Sequence, residues 1–329
     1  MKKEVFAMPL IDMPLEELYQ YQGRNPRPSD FDQYWERALK ELDAQGLDYT
    51  LEEPAFSFPG VVCKDLYFTG VGGARIHCQL AYPEHVNGKI PGACMFHGYS
   101  GSVRGWTDKL AYAAVGMAIL AMDVRGQGGY SEDNLQVKGN TLHGHIIRGL
   151  ADPDPDKLFF RNVFLDTVQC ARVLMSMPFV DEKRVGAFGG SQGGALTVAC
   201  MCLEPRINRA APCFPFLTDY KRVWEMDLAH NAYQEIFDYL RNFDPRHERI
   251  DAMWEKLGYI DLQHLACRCK AQVLMFTGLV DQICPPSSQF AIYNKLTCPK
   301  QVAIYPDFGH EGLPDSSDMT LEFLLGMEP

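Results

Sequence analysis

Residues 186–196, GAFGGSQGGAL, place four glycines (Gly189, Gly190, Gly193, Gly194) around Ser191, directly after a short apolar run. Glycine loses more backbone freedom on folding than any other residue, so such a density points to a backbone that turns sharply or packs very closely. One reading is a nucleophile elbow, G-x-S-x-G, here Gly189-Gly190-Ser191-Gln192-Gly193. The other is a tight strand-to-helix turn whose serine only caps the helix.

The surrounding rhythm favours a strand–turn–helix setting. IPGACMFHG (90–98), AILAMDV (118–124), RVGAFGG (184–190), RAAPCFPF (209–216), AQVLMFTG (271–278) and KQVAIYP (300–306) are short apolar runs. Such runs suit buried strands of a mainly parallel sheet. Helix-length segments such as 158–177 and 191–203 separate most of them, which argues for a doubly wound α/β fold. Before this core, 63–70 and 74–83 alternate and read as an antiparallel hairpin. Residues 1–60 are Pro-rich and acidic and read as an arm on the main body. The arm holds one helical pattern, 29–44, with Ser29 or Asp30 as its cap and Phe31, Trp35, Ala38, Leu39 and Leu42 on one face. Two intervals break the rhythm. Residues 131–158 are polar and loop-like, a length usually functional or interface-forming. Residues 214–267 form an aromatic-rich insertion (Phe216, Tyr220, Trp224, Tyr233, Phe237, Tyr239) placed to cap a site. The whole chain, 1–329, reads as a single domain.

Composition excludes some functions. A net charge of -11 argues against a nucleic-acid partner held by phosphate neutralisation. Many of the 11 cysteines sit in apolar runs, as small buried hydrophobes of a reducing compartment. The C-x-C pairs Cys200/Cys202 and Cys267/Cys269 lack a matching pair at finger spacing, so no metal is expected. The first residues carry Lys2 and Lys3 but no sustained apolar run of the signal-peptide kind, and no stretch has the length to span a bilayer. The expected location is the cytoplasm, with no membrane partner. Neither G-x-G-x-x-G nor a P-loop pattern occurs at the glycine-rich turn, and no cofactor is expected.

A serine hydroxyl needs a base to take its proton, and the base needs an acid to hold its tautomer. Ser191 follows one strand, Asp281 follows a later one in GLVDQICPP, and His310 follows the last in DFGHEG. This is the Ser–acid–His order of α/β-hydrolases, with each residue just past the carboxyl end of a strand. Among rivals, His97 lies in HGYSG, His143 and His145 lie in the polar loop as possible substrate or interface residues, and Asp307 and Glu311 are too near His310 along the chain. The intermediate's oxyanion would meet the backbone N–H groups of Gln192 and Tyr99. In Asp123-Val124-Arg125-Gly126-Gln127-Gly128, Arg125 could pair with a carboxylate and brace the loops.

Taken together, MPLIDMPLEELYQY with DFDQYW, HGYSG, DVRGQGG, GGSQGGAL, GLVDQICPPSS and FGHEG resemble the acetyl xylan esterase and cephalosporin C deacetylase family of α/β-hydrolases over nearly the whole chain. The resemblance implies Ser191, Asp281 and His310 as triad and Tyr99 and Gln192 as oxyanion donors. It implies removal of acetyl groups from small esters, acetylated xylo-oligosaccharides and cephalosporin C among them. It further implies an intracellular homohexamer with sites facing an inner cavity, without metal or cofactor. Pro285 and Tyr99 are the expected walls of a small acyl pocket. Three alternatives stand beside this reading: a general short-chain carboxylesterase, a serine peptidase of the prolyl oligopeptidase type, for whose extra domain 329 residues leave no room, and a non-enzymatic binding member.

Overall fold

The computed structural model describes residues 11–139 and 144–328. One nine-stranded sheet runs in the order β1-β2-β3-β5-β4-β6-β7-β8-β9. The strands are β1 (Tyr49–Glu52), β2 (Val61–Thr69), β3 (Arg75–Pro83), β4 (Ile90–Phe96), β5 (Ala118–Met122), β6 (Val180–Gly190), β7 (Arg209–Cys213), β8 (Gln272–Gly278) and β9 (Lys300–Tyr305). The first three pair antiparallel, as does β3 with β5. From β5 onward every pairing is parallel. This is the mainly parallel α/β sheet expected from the apolar runs, in the α/β-hydrolase arrangement that the resemblance implied.

Two elements depart from the sequence reading. The edge strand β1 pairs with β2 although its residues are mostly exposed, so no apolar alternation announced it. Strand β6 starts at Val180, ahead of the apolar run, because Ile90 pairs with Val180 while Gly92 pairs with Val185 across an irregularity.

Side chains on the parallel strands alternate between two cores. On β5, Ala118, Leu120 and Met122 face one core and Ile119 the other. That period of two is the mark of a strand buried on both faces. Helices α4 (Phe159–Ser176) and α5 (Gln192–Leu203) cover the first face. Helices α3 (Thr107–Ala114) and α10 (Ser316–Leu325) cover the second.

The arm is fastened to this body. After a short turn of helix, α1 (Leu15–Leu18), comes α2 (Phe31–Asp43), which buries Phe31, Tyr34, Trp35, Ala38 and Leu42. Tyr34 thus takes the place expected of Leu39, which is only partly buried. Asp30 holds the N-cap position but makes no side-chain cap; its carboxylate accepts from Tyr259 Oη instead. Trp35 stacks on Phe164 of α4 at 6.0 Å and donates through Nε1 to Tyr259 O.

Residues 214–267 contain α6 (Tyr220–Glu225), α7 (Gln234–Phe243) and α8 (Ile250–Leu257), and α9 (Pro286–Lys295) follows β8. Asp219 locks this insertion to the arm. Its Oδ1 accepts from the backbone of Arg24 and Asn25, and its Oδ2 from Tyr21 Oη. Of the polar interval, His143 lies outside the described residues.

Arg125, following β5, is fully buried with Asp166 of α4. Its Nε and Nη2 donate to the two carboxylate oxygens at 2.6 and 2.7 Å, and Nη2 also reaches Val71 O. Breaking such a pair strands a buried charge, whereas replacing both members with apolar groups does not. Arg125→Met alone is expected to lower unfolding stability by about 3–5 kcal/mol, and Arg125→Met with Asp166→Leu by much less. Urea denaturation of the three proteins checks this; equal losses in single and double variants would contradict it.

Candidate active site

Ser191 stands where β6 ends and α5 begins, with φ 60° and ψ -118°. A non-glycine residue rarely adopts positive φ, and such strain persists only when the surroundings over-determine it. Here they do. Ser191 N donates to Cys213 O, while Ser191 O accepts from Ala195 and Phe216. A Cβ on Gly193 would lie 2.1 Å from Phe96 O, and one on Gly194 2.4 Å from Cys213 O. Close approach of the turn to β4 and β7 therefore excludes side chains at these glycines. Gly190 is different, because a Cβ there would meet side-chain atoms at ordinary contact distance, the Phe214 ring at 3.4 Å and Cys213 Cβ at 3.9 Å. The capping alternative fails on geometry: Ser191 makes no side-chain cap to α5. Its hydroxyl faces His310 instead.

His310 Nε2 lies 2.9 Å from Ser191 Oγ, and His310 Nδ1 lies 2.9 Å from Asp281 Oδ2. Asp281 is fully buried, and its Oδ1 accepts from the backbone N–H of Ile283 and Cys284 at 2.8 Å each. These donors fix the carboxylate so that its other oxygen faces the imidazole. The Phe214 ring packs on His310 at 4.6 Å between centroids. The structure thus brings together all three residues that the sequence singled out.

Three of the rival side chains, His97, Glu311 and His145, are engaged elsewhere. His97 donates from Nδ1 to Gly98 O at 2.8 Å and accepts at Nε2 from Val124 N at 3.0 Å, an arrangement suited to the neutral ring; burial lowers its pKa in the same sense. The Glu311 carboxylate accepts from Gly309 N. His145 turns its ring onto Phe159 at 4.5 Å.

The loop after β4 carries Tyr99 and lies beside the elbow, because Phe96 pairs with Gly189. Tyr99 N has no acceptor among the described residues. Gln192 is fully buried at the first position of α5, where the helix dipole favours an anion. Pro285 is buried immediately before α9, next to Cys284.

The Asp123 carboxylate supports the neighbouring loops from below. It accepts from Val103 N at 2.7 Å, from Tyr130 N at 3.0 Å and from His77 Nδ1 at 2.6 Å. Asp65 takes the other His77 nitrogen at 3.0 Å. Burial opposes charge on His77, yet the two carboxylates outweigh it and raise its pKa.

Sequence reasoning named Gln192 only for its backbone N–H and missed its side-chain partner and two further contributors. Gln127 and Gln192 join their side-chain amides reciprocally at 2.7 and 3.0 Å. Gln127 sits in the loop after β5, at the same sheet end as the other site loops, and that placement was its available signal. Cys284 has its sulfur within 4.8 Å of donor atoms of Asp281 and His310. This trio could hold a soft cation, but Asp281 and His310 already bond each other, and His310 bonds Ser191. Glu235 bonds the Tyr99 hydroxyl from the insertion, a contact no local pattern could announce.

Known proteins bear on this arrangement. The sequence pattern described as acetyl xylan esterase (AXE1) matches residues 8–327. Acetyl xylan esterase 1 from Thermoanaerobacterium sp. JW/SL YS485 has a similar structure, with a TM-score of 0.93 and 54% identity over 95% of this chain and 98% of that one. An acetyl xylan esterase from Paenibacillus sp. R4 superposes with a TM-score of 0.90 and 35% identity, covering 96% of this chain and 100% of that one. The acetyl esterase Axe7A of Xylanibacter ruminicola is 27% identical over 85% of this chain, which spans only 62% of that protein's length. The chain belongs to the acetyl xylan esterase family of α/β-hydrolases, whose members are carboxylic ester hydrolases.

Proposed function

We propose that this chain is a serine esterase that removes acetyl groups from small acetylated carbohydrates, xylo-oligosaccharides above all, and from cephalosporin C-like esters. The observation that carries the reading is the single imidazole set 2.9 Å from both Ser191 Oγ and Asp281 Oδ2.

The reaction runs in two steps. His310 Nε2 takes the Ser191 proton as Oγ bonds to the acetyl carbonyl carbon. Asp281 holds the Nδ1–H tautomer and stabilises the imidazolium. The tetrahedral oxyanion sits between the backbone N–H groups of Tyr99 and Gln192. His310 then gives its proton to the sugar oxygen as the carbon–oxygen bond to the sugar breaks. Water attacks the acetyl-serine and loses a proton to the same nitrogen. Collapse breaks the Oγ–acyl bond, returns the proton to Ser191 and releases acetate. Tyr99 and Pro285 limit the acyl group to a short one.

In the same reading the chain is one domain, residues 1–60 its arm and residues 214–267 a cap over the site. No helix among the described residues is long and apolar enough to cross a membrane. The family likeness supports a cytoplasmic homohexamer, which light scattering after gel filtration checks.

Ser191→Ala should fold normally and lose at least about 10⁴-fold in kcat, judged by triad knockouts in a serine protease. Ordinary turnover of p-nitrophenyl acetate by the folded variant would overturn the assignment. Asp281→Asn should lower kcat by about 10⁴-fold, as in the protease case; full activity would make another carboxylate the orienting acid. Across p-nitrophenyl esters of rising acyl length, fast acetate cleavage should collapse by butyrate or hexanoate. A flat or long-chain optimum would favour a general carboxylesterase.

A further inference from the structure

Glu235 lies in the first turn of α7 and is 3% exposed. Its carboxylate reaches out of the insertion to the loop that follows β4. Tyr99 Oη donates to Oε1 at 2.6 Å. His145 N donates to the same oxygen at 3.0 Å and to Tyr99 Oη at 2.8 Å. Ile147 N donates to Oε2 at 3.1 Å. Burial raises the Glu235 pKa, and the bonds from Tyr99 and the backbone of residues 145–147 oppose that rise. A carboxylate offers about four acceptor positions and no donor, so it suits a site where every partner is a donor.

The space for this carboxylate is built by a glycine. A Cβ on Gly144 would lie 2.2 Å from Glu235 Oε1, and Gly144 has φ +88°, a conformation that favours glycine in any case. The Tyr99 ring is held on its sides as well, tilted against Phe216 at 5.4 Å and edge-on to His145 at 5.9 Å.

We propose that Glu235 is a positioning residue for the ester hydrolysis, aiming the Tyr99 backbone N–H at the developing oxyanion through the Tyr99 hydroxyl. The inference rests on the roles given above to Ser191 and Tyr99. The peptide carrying the Tyr99 N–H is anchored at its carbonyl edge, where Gly98 O accepts from His97 Nδ1 and Gly101 N. That leaves rotation about the Gly98 O anchors, which the Tyr99 side chain can stop. Only two torsions separate the hydroxyl from Cα. With the hydroxyl bonded and the ring held on its sides, the positions open to Cβ and Cα are restricted, and the anchored Gly98 O then limits the tilt of the amide between them. The same bond holds the ring as a wall against longer acyl chains. Alignment of this kind matters because a displacement of about 1 Å can cost 10²-fold in rate.

Glu235→Gln puts a donor against the Ile147 N–H, and Tyr99→Phe removes only the hydroxyl. Each variant should lower kcat for p-nitrophenyl acetate by about tenfold, with KM within about twofold, because an oxyanion contact acts in the transition state. Each should also narrow the preference for acetate over butyrate. Combining them should do no more harm than the worse single change, since both cut one link. Gly144→Ala, which pushes on Oε1, should give the same pattern. A folded Glu235→Gln or Tyr99→Phe enzyme with wild-type kcat and acyl preference overturns the proposal, even where its Tm falls. If Glu235→Gln does not fold, Tyr99→Phe decides alone. Ser191→Ala is run beside them: retained turnover there brings down the underlying reading and this one with it. Loss of turnover there confines any failure to Glu235.

Discussion

The pairing of β4 with β5 on one side and β6 on the other governs everything near the site. Strand order reverses at β4, so the helices after β4 and β6 leave toward opposite faces and a crevice opens at the carboxyl ends of these strands. The loops after β4, β5 and β6 all meet there, bringing Tyr99, Gln127 and Ser191 to one place. Strands β8 and β9 lie farther along the same sheet, yet their loops curl back with Asp281 and His310. Chain segments separated by 119 residues thereby meet across one hydrogen bond.

The elbow shows what that convergence demands. A positive φ at Ser191 costs on the order of 1–3 kcal/mol, and no local pattern relieves it. Relief comes from neighbours that hold the turn: Cys213 O on one side and the Phe96 carbonyl pressed into Gly189 and Gly193 on the other. Gly189, Gly193 and Gly194 are present because backbone, from β4 and β7 above all, occupies the space of their missing side chains, whereas Gly190 meets only ordinary side-chain contact. At none of the four positions around the serine does the backbone itself take a positive φ.

This explains what was legible in the sequence. The parallel strands could be read because burial on both faces makes continuous apolar runs. The order Ser191, Asp281, His310 could be read because each residue follows such a run. Strand β1 was hidden since an exposed edge needs no apolar pattern. The cap of α2 was misjudged because Tyr259, more than two hundred residues away, claims Asp30. The face of the same helix was misjudged at Tyr34, whose hydroxyl finds Pro155 O and so tolerates full burial. In each case a partner distant in sequence overrode a local preference.

The same physics divides the buried carboxylates near the site by role. Asp281 meets two backbone N–H groups and the His310 imidazole, whose other nitrogen faces Ser191 Oγ. Asp123 and Glu235 also gather loop N–H groups, Asp123 together with the His77 imidazole and Glu235 with the Tyr99 hydroxyl, at a remove from Ser191 and His310. A loop that approaches a substrate exposes amide donors that no strand or helix satisfies, and an unpaired buried donor is costly. A carboxylate can gather several such donors at once and set their directions, which a single neutral acceptor cannot. Rigidity in the loops around Ser191 is therefore built from charge buried beneath them. His310 stays partly exposed at 17% while the Asp281 carboxylate that it meets is at 0%. Under the proposed mechanism that exposure is what admits water and the leaving oxygen to the imidazole, while Nδ1 stays on the buried Asp281 carboxylate.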